Sequence, residues 1–215
     1  MKPSYLSIVF ISGMLITALI SIINCSTTGI QRSREATTTM TAMDDGIKLL
    51  VVQLDATGAS LNELTKSDNS DVEKAFYLFK DNVSKIENME KDFAKHADEM
   101  NARGKDYFEE WEKEGDNYKN PRIQALSDER RSELVGIYGD IATTSIGVRD
   151  QFKTYVSDLK EIEKYLSNDL TPKGIESIAP ISDKVVHDGG KLKSAIQDIQ
   201  IAIQKVRIEM SQTAS

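Results

Sequence analysis

Cysteine, histidine and proline are scarce in this sequence. The 215 residues include one Cys, two His and four Pro, and 7% of them are aromatic. One Cys excludes an intramolecular disulfide framework and a cysteine-rich zinc site, and two His exclude a His-rich metal centre. Because proline and aromatic residues are few while Lys, Glu, Ile, Leu and Asp are abundant, the composition favours helices.

Charge and length narrow the class of protein further. The chain has 27 basic and 34 acidic side chains, which give a formal net charge of −7. Nucleic-acid binding needs clustered Lys and Arg to displace counterions from phosphates, so this balance argues against a nucleic-acid partner. The length is sufficient for one domain or two small ones.

The N-terminal segment is typical of an export signal. Lys2 is the only basic side chain before an uncharged, largely apolar run that extends to Asn24. The run ends in Ile22-Ile23-Asn24-Cys25, which resembles the lipobox of bacterial lipoproteins, where the Cys thiol receives a diacylglyceryl group and the Cys becomes the new N-terminus. We therefore predict a lipoprotein-type signal peptide over residues 1–25, with Cys25 as the lipidation site.

Two other fates of this segment stay open. Asn24 is bulkier and more polar than the Gly, Ala or Ser that usually precedes a lipidated Cys. The apolar run of about 18 residues is longer than a signal core of roughly 7–15 and reaches the roughly 17–25 needed to span a bilayer. The segment would then be an uncleaved membrane anchor or an ordinary cleaved signal, with Cys25 merely a small apolar residue.

A Ser- and Thr-rich stretch follows the signal. Residues 26–41 contain few apolar side chains, and Arg32 and Arg34 are their only cations. This composition predicts a flexible tether that holds the folded part off the bilayer. From Glu35 onward the same residues are equally consistent with the start of the first helix. Residues 42–215, which follow the tether, are predicted to form a single helical bundle domain.

Two long stripes of apolar residues at intervals of three and four predict the first two helices. A capping box, Ser70-Asp71-Val72-Glu73, predicts that the second helix begins close to Asp71. Gly115-Asp116-Asn117 and Asn120-Pro121 are predicted to end this helix, because proline disfavours helical geometry in the preceding residue. The two stripes comprise Met40, Met43, Ile47, Leu50, Leu54, Thr57, Leu61 and Leu64, then Val72, Phe76, Phe79, Val83, Ile86, Glu90, Phe93, Ala97, Met100, Gly104, Tyr107, Trp111, Glu114 and Tyr118.

Two further stripes predict the third and fourth helices. The third is expected to start near Ser127, a plausible N-cap that acidic residues follow. Thr171 and Pro172 predict the start of the last helix, and Pro180 and Gly189-Gly190 predict a kink or a break in its first half. The stripes comprise Leu134, Ile137, Ile141, Thr144, Val148, Phe152, Tyr155, Leu159, Ile162 and Leu166, then Ile175, Ile178, Val185, Leu192, Ile196, Ile199, Ile203, Val206 and Met210, with Ser182 and Gly189 in the seam.

Four long helices joined by short turns run up and down, and each buries one stripe against its neighbours. The predicted fold is therefore all-α: an elongated, coiled-coil-like antiparallel bundle of about four long helices. No segment shows the alternation that a strand requires.

Residue patterns typical of enzymes are missing. A di-metal bundle needs Glu-x-x-His twice, and Phe93 and Lys184 stand where those Glu residues would precede His96 and His187. No Ser lies in Gly-x-Ser-x-Gly, and the one Cys precedes the fold. We therefore predict that the protein is not an enzyme and has no catalytic, cofactor-binding or metal-binding residues and no cofactor.

Two charged groups have plain structural interpretations. Asp183 and His187 lie four residues apart and are expected to form a solvated pair on one helix face. A run of acidic residues around Trp111 is also expected to be a solvated face rather than a cation site. The run comprises Glu109, Glu110, Glu112, Glu114 and Asp116.

Aromatic and glycine residues suggest details of packing. Trp111 and Tyr118, seven apart on one stripe, are expected to be core residues near the end of the bundle. Gly136, Gly139 and Gly147 predict a face on which two helices approach closely, at a cost of about 1 kcal/mol each in helix propensity. Conformational weakness at mid-bundle is the alternative interpretation of these glycines.

Two groups of residues, across the second and third turns, carry a resemblance. They are Phe108, Glu110-Trp111, Glu114, Tyr118, Asn120 and Ser127, then Tyr165-Leu166, Asn168, Leu170-Thr171 and Ile175. In these residues the chain resembles an uncharacterised family of bacterial envelope lipoproteins, known as the domain of unknown function 2959. The resemblance implies a signal-bearing, almost wholly helical protein, and it implies no activity and no site.

The sequence thus predicts a membrane-tethered, non-enzymatic lipoprotein on the periplasmic face of a bacterial envelope membrane, acting as a spacer or as a docking module for another envelope protein. The alternative is an N-terminally anchored sensor or transport accessory subunit with a single N-terminal transmembrane helix. The chain is too acidic to bind anionic lipid by its overall charge, so the N-terminus is expected to hold it at the membrane. Oligomeric state stays open, because stripes that seal a monomer can equally form a homo-oligomer.

Overall fold

A computed structural model describes residues 28–66, 71–115 and 117–211. The predicted signal peptide, the lipidation site Cys25 and residues 26–27 of the predicted tether lie outside the described residues, as do Ser70 and Asp116. Among the described helices, none is long and apolar enough to cross a membrane.

Four α-helices account for nearly all of the described residues, which contain no strand. At 1.5 Å per residue, the helices are about 55–70 Å long. They are α1 (Gly29–Thr65), α2 (Val72–Gly115), α3 (Pro121–Asn168) and α4 (Pro172–Ser211). The predicted all-α class is confirmed.

The helices form a square antiparallel bundle. Both α1 and α3 pack against α2 and α4, and within the described residues the backbones of diagonal helices do not approach each other closely. Residue numbers run in opposite directions across each interface: on α1, Arg32 meets Glu114 of α2 whereas Gln53 meets Asn82. Thr28, the α2–α3 turn and the last residue of α4 therefore share one end, which we call the N-terminal end. The last turn of α1, the first turn of α2 and the α3–α4 turn lie at the other, distal end.

The predicted stripes form the core. Every stripe residue of α1 from Met40 to Leu64 is buried, and so is every stripe residue of α4 from Ile175 to Met210. Phe79 and Phe152 are the largest fully buried side chains of α2 and α3. Burial of one such side chain stabilises the fold by about 1.5–3 kcal/mol, so this continuous core is the main stabilising term.

Two predicted helix starts are confirmed. The Lys74 amide donates to Asp71 Oδ1 over 3.3 Å, so α2 begins directly after Asp71. At the start of α4, the Gly174 amide donates to Thr171 Oγ1 over 3.2 Å. Both side chains satisfy an amide group that has no partner within its helix.

The predicted start of α3 near Ser127 is wrong by six residues, because the helix begins at Pro121. The Arg122 amide donates to Asn120 Oδ1 over 2.9 Å, which makes Asn120 the N-cap. Proline at the first helical position has a favourable φ and no amide that needs a partner. Asn120-Pro121 therefore marks the end of the α2–α3 turn and the start of α3.

The predicted tether over 26–41 is also wrong for its described part, because α1 begins at Gly29. Thr28 is the N-cap and accepts a hydrogen bond from the Gln31 amide over 3.3 Å. The hydroxyls of Thr37, Thr38 and Thr41 donate to backbone carbonyls four residues earlier, so the polar side chains are satisfied within the helix. Ala36 is fully buried and extends the apolar stripe beyond Met40.

The break predicted in α4 does not occur, since one helix continues through Pro180 and Gly189-Gly190. Gly189 has a packing role instead. A Cβ at this position would lie 2.9 Å from Cε2 of Tyr155 on α3, closer than two carbon atoms can approach without a shift. The missing side chain of Gly189 therefore makes room for the Tyr155 ring.

The predicted close approach at Gly136, Gly139 and Gly147 is wrong as well. All three are exposed, and an added Cβ would meet nothing within 4 Å. The close approach is at Gly104, where a Cβ would overlap the ring of Tyr138. The Tyr138 hydroxyl donates to the Met100 carbonyl, and burial raises the pKa of this phenol.

We expect Gly104→Ala to destabilise the protein by about 1–3 kcal/mol net. Overpacking costs about 1–3 kcal/mol and displacement of the Tyr138 hydroxyl about 1 more, against about 1 kcal/mol of gained helix propensity. The matched control is Gly136→Ala, which should stabilise the protein by about 0.5–1 kcal/mol. Urea unfolding measures both, and a gain of equal size in the two variants would contradict the packing role of Gly104.

Candidate functional site

Two ion pairs at the N-terminal end join the helices two by two, α1 to α2 and α3 to α4. Arg32 on α1 is 7% exposed, and its Nη2 lies 2.7 Å from Glu114 Oε1 on α2. Arg130 on α3 reaches α4, where its Nη1 lies 3.2 Å from Glu209 Oε2 and its Nη2 donates to the Glu209 carbonyl over 2.7 Å. A hydrogen bond with Glu133 is the main cause that raises the pKa of Arg130, with a smaller contribution from Glu209. The pairs hold both helix pairs together where the chain enters the bundle.

An aromatic cluster lies beside these ion pairs. The ring centroids of Tyr107 and Trp111 are 5.6 Å apart, and those of Phe108 and Tyr138 are also 5.6 Å apart, in an edge-on arrangement. Trp111 Nε1 donates to Ser127 Oγ over 2.9 Å, which connects α2 to α3. Burial raises the pKa of Tyr107, so its hydroxyl is neutral at physiological pH.

The residues that carry the resemblance build the two turns. Across the α2–α3 turn, Trp111 bonds to Ser127, Glu114 pairs with Arg32, and Asn120 caps α3. Across the α3–α4 turn, Asn168 Nδ2 donates to the Lys164 carbonyl and Thr171 caps α4. The described roles of these residues are thus structural.

Trp111 and Tyr118 are both predicted to be core residues, and the structure agrees with this prediction for Trp111 only. Trp111 is partly buried and packs against the core. Tyr118 is 46% exposed, because α2 ends at Gly115 and the helical spacing does not continue to Tyr118. The prediction is therefore wrong for Tyr118.

Ion pairs account for the acidic run around Trp111. Besides the Arg32–Glu114 pair, Glu110 lies 2.6 Å from Lys113, and Glu112 lies 3.9 Å from Arg131. The hydrogen bond from Lys113 lowers the pKa of Glu110. Within residues 28–66, 71–115 and 117–211, no group of three or more His, Cys, Asp or Glu could hold a metal ion.

The two histidines have different surroundings. Asp183 and His187 are both exposed on α4, as expected for a solvated pair. His96 lines a recess of about 140 Å³ between α1 and α2 together with Met43 and Phe93. A Cβ at Gly46 would lie 3.3 Å from His96 Nδ1, so this glycine makes room for the ring.

A buried carboxylate between α1 and α4 is the most unusual polar group of the bundle. Asp44 is 3% exposed, and its Oδ2 lies 2.9 Å from Lys48 Nζ and 3.4 Å from Arg207 Nη1. Its Oδ1 accepts from Gln200 Nε2 over 2.9 Å and from Gln204 Nε2 over 3.4 Å. We call these five residues the Asp44 network.

The network keeps Asp44 ionised. Burial by itself raises the pKa of this carboxyl group, but the hydrogen bonds from Lys48, Gln200 and Gln204 and the charge of Lys48 outweigh it, so the pKa is lowered from its ordinary value of 3.8. A buried carboxylate is tolerated only when its oxygens are paired in this way.

The spacing of apolar residues alone does not predict the Asp44 network. A signal was present, because Gln200, Gln204 and Arg207 follow the spacing of four and three beside the apolar stripe of α4. Asp44 adjoins the core position Met43 and has Lys48 four residues later. Such a polar stripe beside a core stripe indicates a buried polar contact, but the partner helix is not evident from spacing alone.

The fold and the contacts define the class: an elongated antiparallel four-helix-bundle protein, tied at its N-terminal end by ion pairs and aromatic contacts. Residues 50–210 match the family model described as Protein of unknown function (DUF2959). Since the match spans well over half of the chain, the protein belongs to the DUF2959 family. No curated protein and no solved structure matches the chain.

We expect Asp44→Ala to lower the free energy of unfolding by about 2–3 kcal/mol, because the change removes charge-assisted hydrogen bonds and leaves the half-buried donors Gln200 and Arg207 without their acceptor. Asp45→Ala is the matched control. Asp45 is the neighbouring carboxylate, exposed and paired with Lys48, so its loss should change stability by no more than about 0.5 kcal/mol. Equal small losses in urea unfolding would show that the network adds no net stability.

The contribution of Asp44 should also depend on pH. Since its pKa is lowered in the folded state, its stabilising effect is complete above the ordinary value of 3.8 and is lost as the pH falls through the folded-state pKa. The stability difference between the wild-type protein and Asp44→Ala should therefore shrink from about pH 7 to about pH 2–3. The loss of stability caused by Met43→Ala, which removes no ionisable group, should stay the same over this pH range. A pH-independent Asp44 difference would contradict the assignment.

Proposed function

We propose that the protein is a membrane-tethered, non-enzymatic helical lipoprotein of the bacterial envelope that serves as a spacer or as a docking module for another envelope protein. The observation that carries the proposal is the position of the apolar N-terminal run, which ends at Cys25, four positions before α1 begins at Gly29. Four residues reach at most about 14 Å. An anchor at Cys25 would therefore hold the N-terminal end of the bundle close to the membrane surface.

The length of the bundle supports a role in spanning distance. With the N-terminal end at the membrane, the helices would carry the distal end to about 60–70 Å from the bilayer. Adjacent antiparallel helices with one continuous core form a stiff body, because interior side chains are close-packed. A stiff body of this length suits a spacer better than a compact binding domain would.

Exposed apolar side chains on the long sides of the bundle support docking. Leu49 and Val52 lie three positions apart on the outer face of α1 and are 63% and 67% exposed. Ile201, on the neighbouring helix α4, is 65% exposed. Apolar positions at helical spacing are what a partner helix covers in a helix-in-groove contact.

One observation favours the alternative, an anchored sensor or transport accessory subunit. The exposed glycines Gly136, Gly139 and Gly147 of α3 fill no packing role, although each costs about 1 kcal/mol in helix propensity. Glycines without a packing role suit a segment that changes conformation. This alternative needs an uncleaved N-terminal membrane helix, so processing of the signal separates the two functions.

We expect the mature protein from bacterial membranes to begin at Cys25 and to incorporate labelled fatty acid. Cys25→Ala should abolish both the cleavage and the label, whereas Asn24→Ala, which keeps the thiol, should retain them. Intact-mass measurement and metabolic acyl labelling report the two events. A full-length, unlabelled chain in the membrane fraction would exclude the lipoprotein and favour the anchored sensor.

A further inference from the structure

The α2–α3 turn carries an exposed apolar and basic surface. Tyr118, Ile123 and Leu126 are 46%, 47% and 66% exposed, and Lys119 and Arg122 lie between them and are exposed as well. We call these five residues the end patch. Residues 117–126 include no acidic residue, although the whole chain has a net charge of −7.

Packing within the bundle leaves the end patch uncovered. The helical spacing puts Ile123 on the same face of α3 as Ser127, which bonds to Trp111 on α2. Ile123 lies one turn beyond that contact, where the facing helix α2 has already ended at Gly115. An apolar side chain is thus directed toward the inside of the bundle at a level where the described residues form no further layer.

The end patch lies where the chain enters the bundle. The Arg32–Glu114 ion pair puts the first turn of α1 level with the last turn of α2. Ile30, in that first turn of α1, is 75% exposed. Cys25 precedes Gly29 by four positions, so the first residue of α1 is within about 14 Å of the anchoring residue.

The charges near the end patch complement an anionic surface. Within the described residues, Lys119 and Arg122 form no ion pair, whereas the flanking carboxylates are paired: Glu112 and Asp128 with Arg131, and Glu114 with Arg32. Apolar side chains that insert between headgroups, a tyrosine at the interface and basic side chains beside them are the features of protein segments that lie on membranes.

We propose that the end patch docks on the surface of an anionic phospholipid bilayer and so holds the bundle upright on the membrane. This inference rests on the membrane tethering proposed above. The tether confines the end patch near the headgroups, and the patch then fixes the orientation that a single anchor point leaves free. Electrostatic attraction to lipid acts only within about 10 Å, so Lys119 and Arg122 are the charges that act at the headgroups, while the flanking carboxylates Glu112, Glu114 and Asp128 are held in ion pairs.

The test uses the full chain with a thiol-reactive, environment-sensitive fluorophore at Leu126→Cys, in vesicles of phosphatidylethanolamine and phosphatidylglycerol. The matched control position is Ile181→Cys on α4, 53% exposed and nearer the distal end. We expect blue-shifted emission at position 126 and quenching by nitroxide-labelled phospholipid several-fold stronger than at position 181. The wild-type chain, treated with the same fluorophore, gives the background signal from Cys25.

Charge reversal tests the basic side chains. Lys119→Glu with Arg122→Glu should shift the docking equilibrium by about 30-fold or more toward the undocked state, measured by quenching at position 126. Lys164→Glu with Lys173→Glu makes the same change of charge near the distal end and should leave the quenching unchanged.

Each other outcome counts against a defined part of the proposal. A chain that does not float with the vesicles overturns the tethering and the docking together. A chain that floats, with equal quenching at positions 126 and 181, overturns the docking alone. A blue shift at position 126 without quenching by lipid means that a second copy or another segment of the chain covers the end patch, and this also overturns the docking.

Discussion

The structure depends on the burial of one continuous apolar stripe on each of four helices that are about 55–70 Å long. In the described part of the chain, the neighbours of α1 and α3 are α2 and α4, so every stripe is covered by two adjacent helices and no pair of helices seals its own core. Removal of one helix would expose the stripes of its two neighbours along their whole length. The helices therefore form one cooperative unit, in which core side chains such as Phe79 and Phe152 supply most of the stabilisation.

The sequence predicts a structural feature well when residues close together in the chain determine it, and poorly when contacts between distant residues determine it. The stripes of α1 and α4 are predicted residue by residue, because helical spacing alone decides which side chains share a face. The start of α3 is missed because Asn120-Pro121 satisfies two local rules: proline ends the helix before it and also begins the next one. The packing role of a glycine is even harder to predict from the sequence. Gly104 and Gly136 have the same propensity, and only the tertiary structure shows that Tyr138 covers one while the other faces open space.

The Asp44 network shows why a non-local polar contact escapes sequence analysis and yet restricts the fold. Gln200 Nε2 donates to Asp44 Oδ1 across 156 positions of sequence. A shift of α4 by one turn would keep apolar residues in the core, because its stripe repeats, but it would leave the carboxylate without Gln200 and without the pairing that its burial requires. The apolar stripes thus favour four helices in contact, and the buried carboxylate favours one register of α4 against α1.

The two ends of the bundle differ in how their polar groups are satisfied. At the distal end the cap of α4 is local: Asp169 Oδ1 accepts hydrogen bonds from the amide and the hydroxyl of Thr171, two residues away. At the N-terminal end, side-chain contacts join all four helices in sequence: Arg32 with Glu114 joins α1 to α2, Trp111 with Ser127 joins α2 to α3, and Arg130 with Glu209 joins α3 to α4. Because α1 is helical from Gly29, no long flexible tether within the described residues separates this end from the N-terminal segment. A force or a docking event at the N-terminal end would therefore act on all four helices together and would set the direction in which the distal end points.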